Sequence, residues 1–216
     1  FEISNSLRFN DNDSAALTRT PSGASNRDTW TWSAWVKGAD ASLQTLFSGG
    51  TGSGNDTFNF RIDAGQISQN NGSAALRATT ALFRDFSAWY HIVLAVDTTQ
   101  STDTNRLKLY VNGSLITVFS TSNIPDQNTD LGVNQAALHT IGRRANTADR
   151  YLNGYLAEVN FIDGSQLTPS SFGETKNDIW IPKNTSGLTF GTNGFRLEFK
   201  QTGTGTASST TIGADT

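Results

Sequence analysis

The sequence predicts an all-β protein, a two-sheet antiparallel β-sandwich, on three observations. Residues 89–119, WYHIVLAVDTTQSTDTNRLKLYVNGSLITVF, read as three successive strands. The run 89–97 is almost continuously apolar and suits a strand buried on both faces. Residues 106–111 alternate, and Asn112-Gly113 turns the chain back into 114–119, because a type I′ turn needs positive φ at both central residues. Composition agrees: hydrophobic residues are 36% of the chain, while Gly, Ser, Thr and Asn are abundant. That balance suits a sandwich with long polar loops. Finally, the one helical signal is 167–174, where Thr168 can cap and Pro169 takes the first helical position.

Taken in order, residues 6–10 and 15–18 read as short strands around the polar DND at 11–13. Residues 21–27 are loop by composition. TWTWSAWVK, 29–37, is a strand with Trp30 and Trp32 on one face and Trp35 on the other. Further strands are expected at 43–47, 58–62, 65–68 and 76–79, with Asn71-Gly72 as a turn. After the central stretch come a polar loop at 121–135 and strands at 138–141 and 151–161. Late strands are expected at 179–181 and 195–199. Asn-Gly recurs at Asn71, Asn112, Asn153 and Asn193. We read that recurrence as a hairpin signal used several times, because the marks of a propeller blade are missing.

The 216 residues suffice for one large domain. Residues 1–200 are expected to form it, and the core-poor 201–216 to form a linker to a further C-terminal region. A net charge of −3 carries none of the basic footprint of a nucleic-acid binder. The one basic pair, Arg143-Arg144, is expected in a solvated loop. No apolar run is long enough to span a bilayer. Without cysteine there is no disulfide framework and no thiolate metal site.

Catalytic constellations are sparse. His91 and His139 are the only histidines, each inside an apolar strand, where a hydrogen-bonded structural role is expected. GGTGSG at 49–54 follows a strand but leads into no helix and no lysine, so it cannot cradle phosphate. A glycosidase needs two carboxylates facing one sugar. Glu158 is the one acid inside 151–161, and Leu156 and Asn160 are expected beside it on its face. A calcium ion wants several loop oxygens. Asp126, Asn128 and Asp130 offer three at alternate positions and are the candidate ligands, followed by the loops at 97–105 and 11–13. The five Asn-x-Ser/Thr triplets arise readily from this composition and are not read as glycosylation.

The segments SLRFNDNDSAALTR, WTWSAWVK, WYHIVLAVD, LKLYVNG, IGRR and YLNGYLAEVNFIDGSQLTPSSFGE together resemble the laminin-G-like, concanavalin-A-like jelly roll, over most of residues 4–175. With IWIPK and TNGFRLEF following, the chain is similar to domains of tailed-bacteriophage structural proteins. The resemblance implies a jelly-roll sandwich, no cofactor beyond a rim calcium, and a non-enzymatic role in adhesion or virion architecture. Tail fibre, appendage and capsid decoration are all open. Implied partners are other virion proteins, further copies of the chain and host-surface glycan, with no nucleic acid and no membrane insertion. A carbohydrate-binding or adhesion domain of a secreted cellular protein is the alternative. Sugar contact is expected at the loops 49–57, 97–105 and 121–135. The core is expected to hold Leu7, Phe9, Trp32, Trp35, Phe47, Phe60, Ile92, Leu94, Val96, Leu109, Val111, Ile141, Leu156, Val159 and Phe161.

Overall fold

A computed structural model of the chain describes residues 1–50, 52, 56–204, 208 and 210–214. In chain order the strands are β1 (Leu7–Phe9), β2 (Leu17–Arg19), β3 (Thr29–Gly38), β4 (Gln44–Gly49), β5 (Phe58–Asp63), β6 (Gln66–Asn71), β7 (Ala74–Thr79) and β8 (Tyr90–Asp97). They continue as β9 (Leu107–Val111), β10 (Ser114–Leu115), β11 (Phe119–Ser122), β12 (His139–Ile141), β13 (Gly154–Asp163), β14 (Gly173–Lys176), β15 (Ile179–Pro182) and β16 (Phe195–Leu197). Pro169–Ser171 is a single 3-10 turn with Pro169 in the first helical position, as its sequence predicts.

Two antiparallel sheets face each other. The front sheet runs β1-β13-β3-β8-β9-β10, and β16 also pairs with β13. The back sheet runs β11-β7-β6-β5-β4-β12-β2, and β14-β15 form a separate hairpin. The core follows from alternation. Trp30, Trp32, Ala34 and Val36 of β3 point inward beside Ile92, Leu94 and Val96 of β8, and Phe47, Phe58, Phe60 and Ile67 answer from the back sheet. Trp30 meets Phe58 edge-on at 5.1 Å, and Trp32 meets Phe60 at 5.2 Å. Each such pair adds about 0.5–1.5 kcal/mol beyond the area it buries.

Thirteen of the fifteen expected core residues are buried. Leu7 is half-buried and packs against the core's edge. Trp35 is a correction: it stands on the outer face of β3, half-buried. It occupies the odd position between Ala34 and Val36, both of which face inward. Residues 89–97 are apolar on both faces because the outer face of β8 is also covered. Val93, Ile162 and Phe172 form a second cluster there, with Tyr110, Leu167, Leu188 and Phe190 against it.

The turns correct the hairpin reading. Asn112 and Gly113 take φ of 49° and 80°, the type I′ geometry, and β10 pairs back on β9 through Ser114 and Leu115. The expected strand 114–119 then divides, since β11 pairs with β7 in the other sheet. Asn71 lies in β6 opposite Ala74, so its turn centres on Gly72 and Ser73. Gly154 opens β13, where a Cβ would lie 2.5 Å from the Lys37 carbonyl oxygen. The Asn153-Gly154 pair is therefore a close strand approach, not a hairpin. Of the expected linker, 205–207, 209, 215 and 216 lie outside the described residues; Gly203 bridges Thr211.

Candidate functional site

The outer face of the front sheet carries an aromatic groove of about 280 Å³, lined by Ile3, Ser4, Asn5, Ser6, Trp35, Trp89, Ala157 and Pro182. Its floor follows from register. Trp35 of β3 stands between Ala157 of β13 and His91 of β8. The methyl side chain of Ala157 leaves the depression that the larger rings border. Trp89 sits edge-on to Tyr155, 6.4 Å between centroids. Tyr155 is one of the exposed aromatic residues, and the Arg8 guanidinium lies over its ring at 5.2 Å. Arg8 is itself held by Asn153 Oδ1 at 2.5 Å and the Gly154 carbonyl at 3.2 Å. The segment 3–6 supplies hydroxyls and an amide beside these rings.

His91 holds the groove from beneath. Trp180 Nε1 donates to its Nδ1 at 3.0 Å. Indole N–H is only a donor, so Nδ1 accepts and Nε2 carries the proton. Nε2 then donates to Ser33 Oγ at 2.9 Å. The Trp35 and Trp180 rings lie 5.0 and 5.8 Å from the imidazole. Burial drives the pKa of His91 down to about 3, so it is a neutral post between two tryptophans. His139 is saturated too: the Asn134 amide donates to Nε2 at 3.0 Å, and Nδ1 meets the Ala137 carbonyl at 2.8 Å. Its pKa is also lowered by burial. Both histidines have the structural role expected of them.

Glu158 lies where the register of β13 shifts against β3, between Ala157 and Asn160, and takes a φ of 46°. This bulge corrects the expectation that Leu156 and Asn160 share its face. The extra residue resets the alternation, so that Leu156, Val159 and Phe161 all reach the core. The Glu158 carboxylate is buried and receives Arg196 Nε at 3.1 Å and a second guanidinium nitrogen at 3.2 Å. Burial pushes its pKa up, and Arg196 pulls it back. Arg196 also meets Glu198 at 2.9 Å, and Glu198 meets Lys200 at 2.7 Å. This is a structural ion network, and among the described residues no carboxylate lines the groove.

The expected calcium ligands are close in sequence but differently employed. Arg27 lies 3.7 Å from the carboxylate of Asp130 and 3.5 Å from Asp56. Asn128 adopts a φ of 61° and its amide bonds the Thr98 carbonyl at 2.9 Å. Asp126 caps the local turn through its carbonyl to Thr129. A guanidinium beside Asp130 opposes a divalent cation there, so this donor set does not fit calcium as arranged. Among the described residues no group of three or more His, Asp or Glu side chains could hold a metal.

The expected sugar-contact loops are only partly committed to the fold: Thr99, Ser101, Thr102, Asp103 and Thr104, and Asp126, Gln127 and Asn128, are exposed. Leu131, Val133 and Asn134 of 121–135 are buried. Thr98 and Thr129 tie that loop to 97–105 by a 2.9 Å hydrogen bond. Of 49–57, residues 51 and 53–55 lie outside the described residues. The groove was missed because its residues come from five separate segments. Trp35 carried a signal as an aromatic side chain on an outward strand position and Trp89 as one just before β8, whereas Ser4, Asn5 and Ser6 carried none.

A two-sheet antiparallel sandwich of this topology is a lectin-like fold, as predicted. Residues 10–171 match the model of a laminin G family, described as the concanavalin A-like lectin/glucanases superfamily, and the chain belongs to that family. Solved structures of similar fold include the native heptameric SAP-like pentraxin of Limulus polyphemus, with a TM-score of 0.55 and 15% identity over 76% of this chain and 77% of that one. Domains LG4-5 of the mouse laminin alpha1 chain give 0.53 and 12%, over 91% and 47%. A putative carbohydrate binding protein of Bacteroides ovatus gives 0.52 and 18%, over 79% and 46%. At these identities the likeness is one of fold. A comparison with curated proteins gave no match.

Proposed function

We propose that this chain is a non-enzymatic recognition and structural module of a tailed-bacteriophage virion, in a tail fibre, appendage or capsid decoration, and that it binds host-surface glycan. The observation that carries the binding role is the groove of Trp35 and Trp89 with Ser4, Asn5 and Ser6 beside it. A sugar ring has apolar C–H faces and a polar hydroxyl rim. Tryptophan supplies a large surface for the first, and hydroxyl and amide groups bond the second. The saturated histidines and the Arg196-bound Glu158 support the absence of hydrolytic chemistry. The virion setting rests on the resemblance of the closing segment, followed by IWIPK and TNGFRLEF, to phage structural proteins. Repeated copies among other virion proteins would multiply weak contacts.

The second reading is a carbohydrate-binding domain of a secreted cellular protein. It is favoured by the shared fold with the putative carbohydrate binding protein of Bacteroides ovatus. Both readings use the same groove, and gene neighbourhood or presence in purified virions separates them. Binding is tested on a glycan array with the purified chain, with and without chelator. Trp89→Ala should abolish the hits at an unchanged melting temperature. Hits indifferent to Trp89→Ala and Tyr155→Ala would move the site elsewhere. Cleavage of a host polysaccharide that Glu158→Gln abolishes would overturn the non-enzymatic role.

A further inference from the structure

A cavity of about 380 Å³ opens at one edge of the sandwich and shares no residue with the aromatic groove. At that edge β2 ends the back sheet, and β16 pairs with β13 alone among the described strands. The cavity therefore lies between the two sheets. Leu17, Ile141 and Phe47 wall it from the back sheet, and Phe195 and Leu197 from the front. Register sets the first wall, since Ile141 of β12 stands between Leu17 of β2 and Phe47 of β4. Phe161 joins the two walls, with ring centroids 5.2 Å from Phe47 and 5.7 Å from Phe195. At the mouth, a Cβ on Gly213 would lie 2.9 Å from the Leu17 side chain, so the chain closes one end. Packed interiors leave few voids larger than a water molecule. This one has the size of a small-molecule site and room for roughly a dozen heavy atoms, at the volume of about 30 Å³ that a water occupies.

The polar groups around the cavity are unequal. His139 is saturated by the Asn134 amide and the Ala137 carbonyl. The Thr140 hydroxyl donates to the Arg143 carbonyl at 2.6 Å. Arg19 differs from both. Its guanidinium lies 5.9 Å from the centre of the Phe195 ring, and Nη1 donates to the Asn193 carbonyl at 3.1 Å. These contacts fix the group at the cavity wall without neutralising it, and a guanidinium has further N–H donors to offer. Among the described residues no carboxylate lies within ion-pair distance of Arg19, and none lines the cavity. An apolar slot thus ends at one fixed cation. A neutral apolar molecule would forgo that cation, and an ammonium would be repelled by it. Sugar hydroxyls would find few partners along the aromatic and aliphatic walls. An apolar body ending in a carboxylate satisfies both parts, because the guanidinium fork matches a carboxylate in shape and charge.

We propose that this slot between the sheets is a second binding site, for a medium-chain alkyl carboxylate whose chain lies among Phe47, Ile141 and Leu197 and whose carboxylate meets Arg19. The site is independent of the glycan-binding role proposed above. The test is calorimetric titration of the purified chain with octanoate, octanol, octylammonium and butyrate, each below its aggregation limit. Octanoate should bind saturably at one site. Octanol should bind about fivefold more weakly, as expected for the loss of one exposed ion pair, and octylammonium more weakly still. Butyrate is four methylenes shorter and should bind about a hundredfold more weakly. Arg19→Gln should lower octanoate to the level of octanol and leave octanol unchanged. Leu17→Trp, which fills the slot, should abolish both, with a retained melting transition showing that the variant is folded. Trp89→Ala should leave octanoate binding intact. No saturable octanoate binding would overturn the site. So would octanoate affinity unchanged in Arg19→Gln or in folded Leu17→Trp, and so would its loss in Trp89→Ala, which would place the ligand in the aromatic groove.

Discussion

Asp163 organises more of this molecule than any residue with a recognisable motif. Its Oδ1 accepts from the Asn26 amide at 3.3 Å, Asn26 Nδ2 at 2.9 Å and Asn134 Nδ2 at 3.0 Å, and its Oδ2 accepts from the Asn193 amide at 2.9 Å. Three loops thus end on one buried carboxylate. Asp163→Ala should leave those donors facing an apolar methyl and cost more than about 3 kcal/mol in a denaturant titration. An effect below about 1 kcal/mol would show that water replaces the carboxylate. No local pattern reveals this role, because the partners of Asp163 lie 137, 29 and 30 residues away. His91 makes a second residue-scale prediction. Its pKa of about 3 lies below the 6.5 of an unfolded histidine. The unfolded chain therefore binds a proton that the folded chain does not. Stability is complete above about pH 6.5 and declines as pH falls toward 3, by up to roughly 1.4 kcal/mol per pH unit. His139 adds in the same direction, and Glu158, raised by burial, opposes it weakly. His91→Gln should flatten the acid limb of a stability–pH curve.

At the scale of elements, β3 and β8 carry the fold. Leu94 is fully buried opposite Trp32, and Leu94→Ala should cost roughly 2–5 kcal/mol. An unchanged unfolding midpoint would contradict this core. The β13 bulge makes a different prediction. Arg196→Met leaves Glu158 charged and buried without its fork, which should cost about 3–5 kcal/mol, whereas Arg196→Met with Glu158→Leu should recover much of that. A double-mutant cycle with no coupling would show the pair to be independent. The strands themselves were legible because period-2 alternation needs only local sequence. The bulge was not, since a single extra residue leaves the pattern of Leu156, Val159 and Phe161 looking like a slightly irregular strand.

For the whole molecule, the sandwich leaves an open aromatic groove on the outer face of the front sheet. Because Arg27 sits at Asp130, melting temperatures in calcium and in chelator should coincide. A clear rise in millimolar calcium would return Asp126, Asn128 and Asp130 to the role of ligands. The virion location is tested by mass spectrometry of purified particles, where this chain should be present.

The sequence by itself determined the fold class, most strands, the type I′ turn at Asn112-Gly113 and thirteen core residues. These depend on alternation and on turn chemistry within a few neighbouring residues. Only the tertiary structure decided which aromatic rings face solvent and which Asn-Gly pairs are turns. Trp35 and Trp32 are equally apolar on paper; one lies under the opposite sheet and the other beside an alanine and the N-terminal segment. Asn26 and Asp163 lie 137 positions apart and meet through a 2.9 Å hydrogen bond between their side chains. Such neighbours are set by register and by loop path, which no local pattern of residues contains.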